Sequence, residues 1–310
     1  MIAYVNLADG HIYTVSSDGT RKARLTTKGC VWDWNRPMVW SPDGSKVAFA
    51  ARWWGRWTNQ VLDVEATRTS KVGRRASSRL HSRIFSWSPD GARLVATEGD
   101  HGTSRLVLLD AGSPSVTHTL VDEGAEPAWA PDGLRIAYSS GMDGQFDIYT
   151  VAPDGSARAR LTTEGGFEPS WSPSGDRIAF TSARTGSRRV YVMAADGSGQ
   201  TCLTGEAEFD YDPWWLPDGR RLAFLSSHGR IDVYTMGTNG EAPAAMPRGL
   251  RCAGLASWSP DATHIALVPF DDYNIHVMAA DGSDLHRVTD EGSCVGPVWV
   301  PDGKLPRPMS

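Results

Sequence analysis

Short apolar runs of about five residues recur along the whole chain, and turn-forming residues separate them. Typical runs are IAYSS at 136–140, IAFTS at 178–182 and LAFLS at 222–226, which are rich in β-branched and aromatic residues. A second apolar run follows each of them after a loop, as in DIYTV at 147–151 and RVYVM at 189–193. This alternation of short runs and turns predicts an all-β protein built from antiparallel strands.

A segment of the form Trp-x-Pro-Asp/Ser-Gly/Ala marks each unit of this pattern. It occurs seven times, with successive tryptophans 41 to 47 residues apart. The seven anchor tryptophans are Trp40, Trp87, Trp129, Trp171, Trp215, Trp258 and Trp299. A period of this length, with four short strands per unit, is typical of propeller blades and differs from two-helix arrays. We therefore expect seven blades of four antiparallel strands, named A to D, with the tryptophan on strand A.

The two ends of the chain contain complementary parts of one blade. Residues 1–27 supply strands B, C and D without a strand A, whereas residues 298–303 supply a strand A with no successor. Pairing the two ends closes the ring and removes the free sheet edges that an open array would expose. We therefore predict a single domain over residues 1–310, an all-β, seven-bladed β-propeller whose blade 7 combines both ends.

The order of these segments is similar to that of a known family. The elements WxPDG, IAFxS, IYxM, DG and LT, repeated in phase over residues 1–303, resemble the WD-repeat-like units of TolB-like β-propellers. The resemblance implies the fold and leaves the function open, because propellers include scaffolds, peptidase-gating domains, lyases, lactonases and cyclases. The sequence lacks the GxSxG motif of the hydrolase domain that propeller-bearing serine peptidases carry.

Composition and charge narrow the classes of function. Hydrophobic residues make up 40% of the chain and the net charge is −5, which gives no electrostatic attraction to nucleic acid. No apolar run approaches the ~18 residues that span a bilayer, and the first residues do not resemble a signal peptide. The four cysteines show no CxxC spacing, which fits a reducing compartment. We expect a cytoplasmic monomer that binds neither nucleic acid nor membranes.

Five of the six tryptophans outside the repeat belong to two segments of blade 1. CVWDWNRP (30–37) leads into strand A, and ARWWGRWTNQ (51–60) is predicted to form the B-to-C loop. Such loops line the face of a propeller that commonly carries the binding site. Tryptophan rings offer large contact areas, and the arginines between them can stack on rings or bind an anion. The predicted ligand-binding residues of this corner are Trp32, Trp34, Arg36, Arg52, Trp53, Trp54, Arg56 and Trp57.

An alternative interpretation is that the two segments pack against each other and the tryptophans form a small local core. The corresponding loops of blades 3 and 4, SGMDGQF and SARTGSR, contain no tryptophan. Their composition predicts purely structural connections. Both interpretations of the blade 1 corner therefore remain open from the sequence.

A second cluster of charged residues is predicted at the mouth of the central channel. Glu126, Glu168 and Asp212 lie three residues before the anchors of blades 3, 4 and 5, whereas Arg36 and Arg83 lie on blades 1 and 2. The loop EFDYDPWW (208–215) adds further candidate ligand-binding residues, which are Asp210, Tyr211 and Trp214. The carboxylates could bond to neighbouring loop amides, contact a ligand, hold Ca²⁺ or another divalent cation, or act as acid and base.

Two functions follow from these clusters. The favoured one is a propeller that binds a small molecule, a peptide or a protein on its loop face and needs no cofactor, because the sequence contains no nucleophile, cofactor or histidine-ligand motif. The alternative is a stand-alone enzyme of the lyase, hydrolase or cyclase type. Its acid and base groups would come from Glu126, Glu168 and Asp212, with His81 and His101 as further catalytic candidates.

Overall fold

The computed structural model describes twelve segments of the chain, and every regular element in them is a β-strand. The described segments are residues 1–27, 38–53, 56–66, 68–72, 85–100, 103–112, 116–141, 145–205, 209–227, 231–239, 244–246 and 256–301. Within them no helix has the length and apolar character needed to cross a bilayer. The strands form seven four-stranded antiparallel sheets, so the prediction of an all-β, seven-bladed β-propeller is confirmed.

The chain divides into two compact units, and unit 1 comprises residues 1–76 and 247–310. Its described strands form blades 1, 6 and 7. Blade 1 consists of β4 (Val39–Trp40), β5 (Lys46–Trp53), β6 (Arg56–Asp63) and β7 (Arg68–Val72). Blade 6 consists of β24 (Ser257–Trp258), β25 (His264–Leu267), β26 (His276–Ala279) and β27 (His286–Arg287). Blade 7 consists of β28 (Cys294–Trp299), β1 (Ile2–Asn6), β2 (His11–Val15) and β3 (Lys22–Arg24).

Unit 2 comprises residues 77–246, and its described strands form blades 2 to 5. Blade 2 consists of β8 (Phe85–Trp87), β9 (Arg93–Asp100), β10 (Thr103–Asp110) and β11 (Val116–Val121). Blade 3 consists of β12 (Ala125–Trp129), β13 (Ile136–Ser140), β14 (Asp147–Val151) and β15 (Ala159–Arg160). Blade 4 consists of β16 (Phe167–Trp171), β17 (Arg177–Ser182), β18 (Arg189–Ala194) and β19 (Thr201–Cys202). Blade 5 consists of β20 (Asp210–Trp215), β21 (Arg221–Ser227), β22 (Ile231–Gly237) and β23 (Ala244–Met246).

Blade 7 is completed by both ends of the chain, as the sequence predicts. Strand β28 pairs antiparallel with β1, so that Trp299 lies opposite Ile2 and Cys294 lies opposite Asn6. The expected bounds of this strand A, 298–303, are too late in the chain. The ladder continues past a bulge to Cys294 because the segment before the tryptophan also pairs with β1.

The anchor tryptophans join successive sheets of unit 2. Trp171 and Trp215 are buried, and each indole also bonds to the preceding blade. The Trp171 Nε1–H donates to the Ala128 carbonyl at 3.0 Å, and the Trp215 Nε1–H donates to the Ser170 carbonyl at 3.2 Å. These two indoles combine apolar burial with a satisfied polar atom, whereas the buried Nε1 of Trp129 has no hydrogen-bond partner among the described residues. Apolar burial is therefore the property that these three anchors share.

Candidate functional site

Several predicted site residues lie outside the described segments, so their roles stay predictions from the sequence. On blade 1 these are Trp32, Trp34, Arg36 and Trp54. On blade 2 they are His81, Arg83 and His101. The remaining candidates fall on strands of blade 1 and blades 3 to 5.

The predicted B-to-C loop of blade 1 is mostly a strand hairpin, which corrects the sequence interpretation. Strand β5 continues to Trp53 and β6 begins at Arg56, with Arg52 opposite Trp57 and Trp53 opposite Arg56. Ala51 is the residue of β5 that corresponds to Ser140, where β13 ends in blade 3. The two additional residue pairs extend this hairpin by about 7 Å beyond that of blade 3.

The register at the end of this hairpin pairs each tryptophan with an arginine. Arg52 is the backbone partner of Trp57, and Trp53 is the backbone partner of Arg56. The hairpin therefore brings four of the predicted ligand-binding residues to adjacent backbone positions.

Asn59 lies on β6 close to this hairpin end, and sequence reasoning missed it. Its side chain is 0% exposed, and neither amide atom has a hydrogen-bond partner among the described residues. Its register position is that of Ile148 in blade 3 and Leu106 in blade 2, both buried apolar residues. A buried amide without a partner is unfavourable, so blade 1 departs from blades 2 and 3 at this position. The longer hairpin itself is shared with blade 2, whose ladder includes the equivalent pairs Gly99–Ser104 and Asp100–Thr103.

In unit 2, the predicted channel-mouth carboxylates connect one blade to the next. Glu126 is buried, and its Oε2 accepts the Ser139 hydroxyl at 2.7 Å and the backbone N–H of Glu168 at 2.8 Å. The Glu168 Oε2 in turn accepts the Thr181 hydroxyl at 2.7 Å and the backbone N–H of Asp212 at 2.7 Å. The geometry therefore supports the structural interpretation for Glu126 and Glu168, namely bonding to amides of the neighbouring blade.

The backbone at these carboxylates adopts an unusual conformation for residues other than glycine. Glu126, Glu168 and Asp212 have φ angles of 55°, 58° and 52°. Each lies where the pairing between strands A and B shifts by a bulge. Glu168 and Asp212 each donate their own backbone N–H to the carboxylate of the preceding blade, and these two hydrogen bonds compensate for the local strain.

The Glu168 carboxyl group lies in a site that disfavours its charge. Burial, and then repulsion from Asp212 and Glu126, raises the pKa of Glu168 to about 8, although its hydrogen bonds to Thr181 and to the Asp212 amide oppose the rise. Burial and the neighbouring carboxylates therefore favour the neutral form of this group. Among the described residues, no group of three or more His, Cys, Asp or Glu side chains could hold a metal ion.

The remaining blade 5 candidates differ strongly in exposure. Asp210 is only 2% exposed, and its Oδ1 has no hydrogen-bond partner among the described residues. It occupies the position of Gly166 in blade 4, where an added Cβ would lie 2.9 Å from Ile148. Tyr211 and Trp214 follow on β20 and are partly exposed.

The loop of blade 4 that we interpreted as purely structural contains an exposed arginine at this site. The Arg188 guanidinium lies over two rings, 5.1 Å from the centroid of Phe167 and 6.0 Å from that of Tyr211. The backbone N–H of Asp210 donates to the Arg188 carbonyl at 2.9 Å, which attaches the loop to blade 5. Three arginines within residues 184–189 were the sequence signal for this feature.

The protein is a seven-bladed β-propeller, because its strands form seven four-stranded sheets. Its blades share an anchor tryptophan on strand A, and blades 3 to 5 also include buried carboxylates at strand bulges. The TolB beta propeller domain family matches residues 36–168 and 166–305, which together include most of the chain. The chain therefore belongs to the TolB-like β-propeller family. A search of curated proteins finds no match.

Solved structures with similar folds have diverse activities. A putative TolB from Agrobacterium tumefaciens is 20% identical, with a TM-score of 0.56 over 97% of this chain and 94% of that one. An oligogalacturonate lyase in complex with manganese is 15% identical, with a TM-score of 0.62 over 93% and 83%. A puromycin-hydrolysing peptidase from Mycobacterium tuberculosis is 14% identical, with a TM-score of 0.65 over 94% and 53%. At these identities the similarity shows the fold alone.

Proposed function

We propose that this chain is a non-catalytic binding propeller that contacts a peptide or protein segment through the hairpin of β5 and β6. The observation that carries the proposal is the hydrogen bonding of Glu126 and Glu168. Both groups, which an enzyme would use as acid and base, accept backbone amides of the next blade. A carboxylate that holds two sheets together is poorly placed to exchange protons with a substrate.

The hairpin supports a macromolecular partner better than a small molecule. Its strand ladder is about 7 Å longer than that of blade 3, and at its end the register pairs Arg52 with Trp57 and Trp53 with Arg56. Tryptophan and arginine are also the residue types that contribute most binding energy at protein interfaces.

The test begins with a peptide-display selection on the immobilised full chain, followed by fluorescence anisotropy of the recovered peptides. The double variant Trp53→Ala/Trp57→Ala should weaken binding by about tenfold or more, because truncated anchor residues remove most interface energy. Leu134→Ala is the matched control, since Leu134 is an exposed apolar residue at a turn of blade 3. This control should bind like the wild type.

The enzyme alternative makes the opposite prediction for a different variant. Glu168→Gln retains an oxygen that can accept the Thr181 hydroxyl and the Asp212 amide. We expect it to bind the selected peptides with wild-type affinity. Chemical conversion of a bound ligand by the wild type, abolished in Glu168→Gln, would establish an enzyme and refute the binding proposal.

A further inference from the structure

The Arg188 side chain in unit 2 lies over two aromatic rings, and a backbone bond attaches its loop to blade 5. The rings of Phe167 and Tyr211 are partly buried, whereas Arg188 is exposed. Its guanidinium lies over both rings, and its carbonyl accepts the Asp210 N–H. Stacking on ring faces restrains a guanidinium plane and leaves its in-plane N–H groups directed outward.

The side-chain polar groups of Arg188 and Tyr211 have no hydrogen-bond or ion-pair partner among the described residues. The other two arginines of the loop are occupied: Arg184 donates to the Gly165 carbonyl at 3.1 Å and to Gln200 Oε1 at 2.7 Å, and Arg189 donates to the Gly205 carbonyl. In contrast, neither the Arg188 guanidinium nor the Tyr211 hydroxyl forms a hydrogen bond or ion pair within the described segments. Both remain available to a ligand.

An exposed apolar ring lies next to this cluster along the chain. Phe209 is 49% exposed, although large apolar side chains are usually buried. Its carbonyl accepts the Ser227 N–H at 2.9 Å, and the following residue, Asp210, bonds to Arg188. The backbone thereby holds Phe209 close to the arginine loop. A cation and an exposed ring on neighbouring, hydrogen-bonded backbone segments suit a ligand with both an anionic and an apolar group.

We propose that Arg188, Phe167, Tyr211 and Phe209 form a second binding site, which takes the carboxylate of an acidic peptide together with a neighbouring apolar side chain. The planar fork of arginine matches a carboxylate in two parallel hydrogen bonds. The Tyr211 hydroxyl supplies a further donor, and Phe209 supplies the apolar contact. This inference goes beyond the proposed function, because it concerns other residues in the other unit.

The test uses two fluorescein-labelled peptides, Gly-Ser-Gly-Glu-Phe-Gly amide and its Gln counterpart, titrated with the full chain at low ionic strength. The Glu peptide should bind about fivefold more tightly, since a charge-assisted pair adds roughly 1 kcal/mol. Arg188→Gln should abolish this preference. Arg188→Lys should retain part of it, because lysine keeps the charge and loses the planar fork.

The matched control is Arg220→Gln, an exposed arginine at a turn of blade 5, and it should bind both peptides like the wild type. Arg188 is exposed, so thermal unfolding of all three variants should remain unchanged. Equal affinity for the two peptides, a preference that survives Arg188→Gln, or no binding up to about 1 mM would each overturn the proposal. Trp53→Ala/Trp57→Ala should leave this binding intact, which separates it from the hairpin proposal.

Discussion

Asn59 occupies a strand-C position that is filled by buried apolar residues in other blades, such as Ile12, Leu106 and Ile148. Replacing its buried amide, which has no partner among the described residues, with an apolar side chain of similar size removes a desolvation penalty of about 1–3 kcal/mol. We therefore expect Asn59→Leu to be more stable than the wild type. Chemical denaturation followed by tryptophan fluorescence measures the change.

A second buried asparagine provides the control for this residue. In blade 6, the Asn274 Oδ1 accepts the Gly292 N–H at 3.0 Å, and its Nδ2 donates to the Asp272 carbonyl at 3.1 Å. Asn274→Leu breaks these bonds and should destabilise the protein by about 1–3 kcal/mol. If both substitutions destabilise equally, Asn59 has a partner that compensates its burial.

At the scale of elements, the bulged strands β12, β16 and β20 are connected by carboxylates whose behaviour depends on pH. The pKa of Glu168 lies above its unfolded value, so the folded protein keeps a proton that the unfolded chain releases between pH 4.5 and about 8. Stability should therefore fall as the pH rises through this range. Glu168→Gln cannot ionise, so its advantage over the wild type should grow toward pH 8 and disappear near pH 5.

Thermal unfolding midpoints between pH 5 and 8.5 measure this difference. Glu164→Gln, an exposed carboxylate on the loop that precedes strand A of the same blade, is the control and should follow the wild-type curve. A parallel pH profile for Glu168→Gln and the wild type would show that Glu168 ionises normally in the folded chain.

The strands of the propeller could be predicted from the sequence, but the hydrogen bonds of these carboxylates could not. The in-phase tryptophan repeat determined the blade count, because each period must supply one strand A. In contrast, the hydrogen bond between Glu168 and Glu126 joins residues 42 positions apart, and the one between Asp212 and Glu168 joins residues 44 positions apart. Both bonds also depend on a left-handed φ that residues other than glycine rarely adopt. Arg188 was missed for a similar reason, since its two rings come from adjacent blades.

At the scale of the whole molecule, the pairing of β28 with β1 joins the two ends of the chain in unit 1. Val295 and Val300 of the C-terminal segment belong to the same apolar cluster as Ala3 and Val5. Burial of each such side chain contributes about 1.5–3 kcal/mol, a sizeable share of the ~5–15 kcal/mol that stabilises a typical domain.

A chain that ends at Ser293 therefore exposes the edge of β1 together with these apolar residues. We expect it to lose the cooperative unfolding transition of unit 1 and to aggregate, as unpaired strand edges do. A chain that ends at Pro301 keeps β28 and should unfold like the full protein. Adding a synthetic peptide of residues 292–301 to the shorter chain should restore protease resistance, because the peptide can pair with β1. A stable, protease-resistant chain ending at Ser293 would show that unit 1 does not depend on closure by β28.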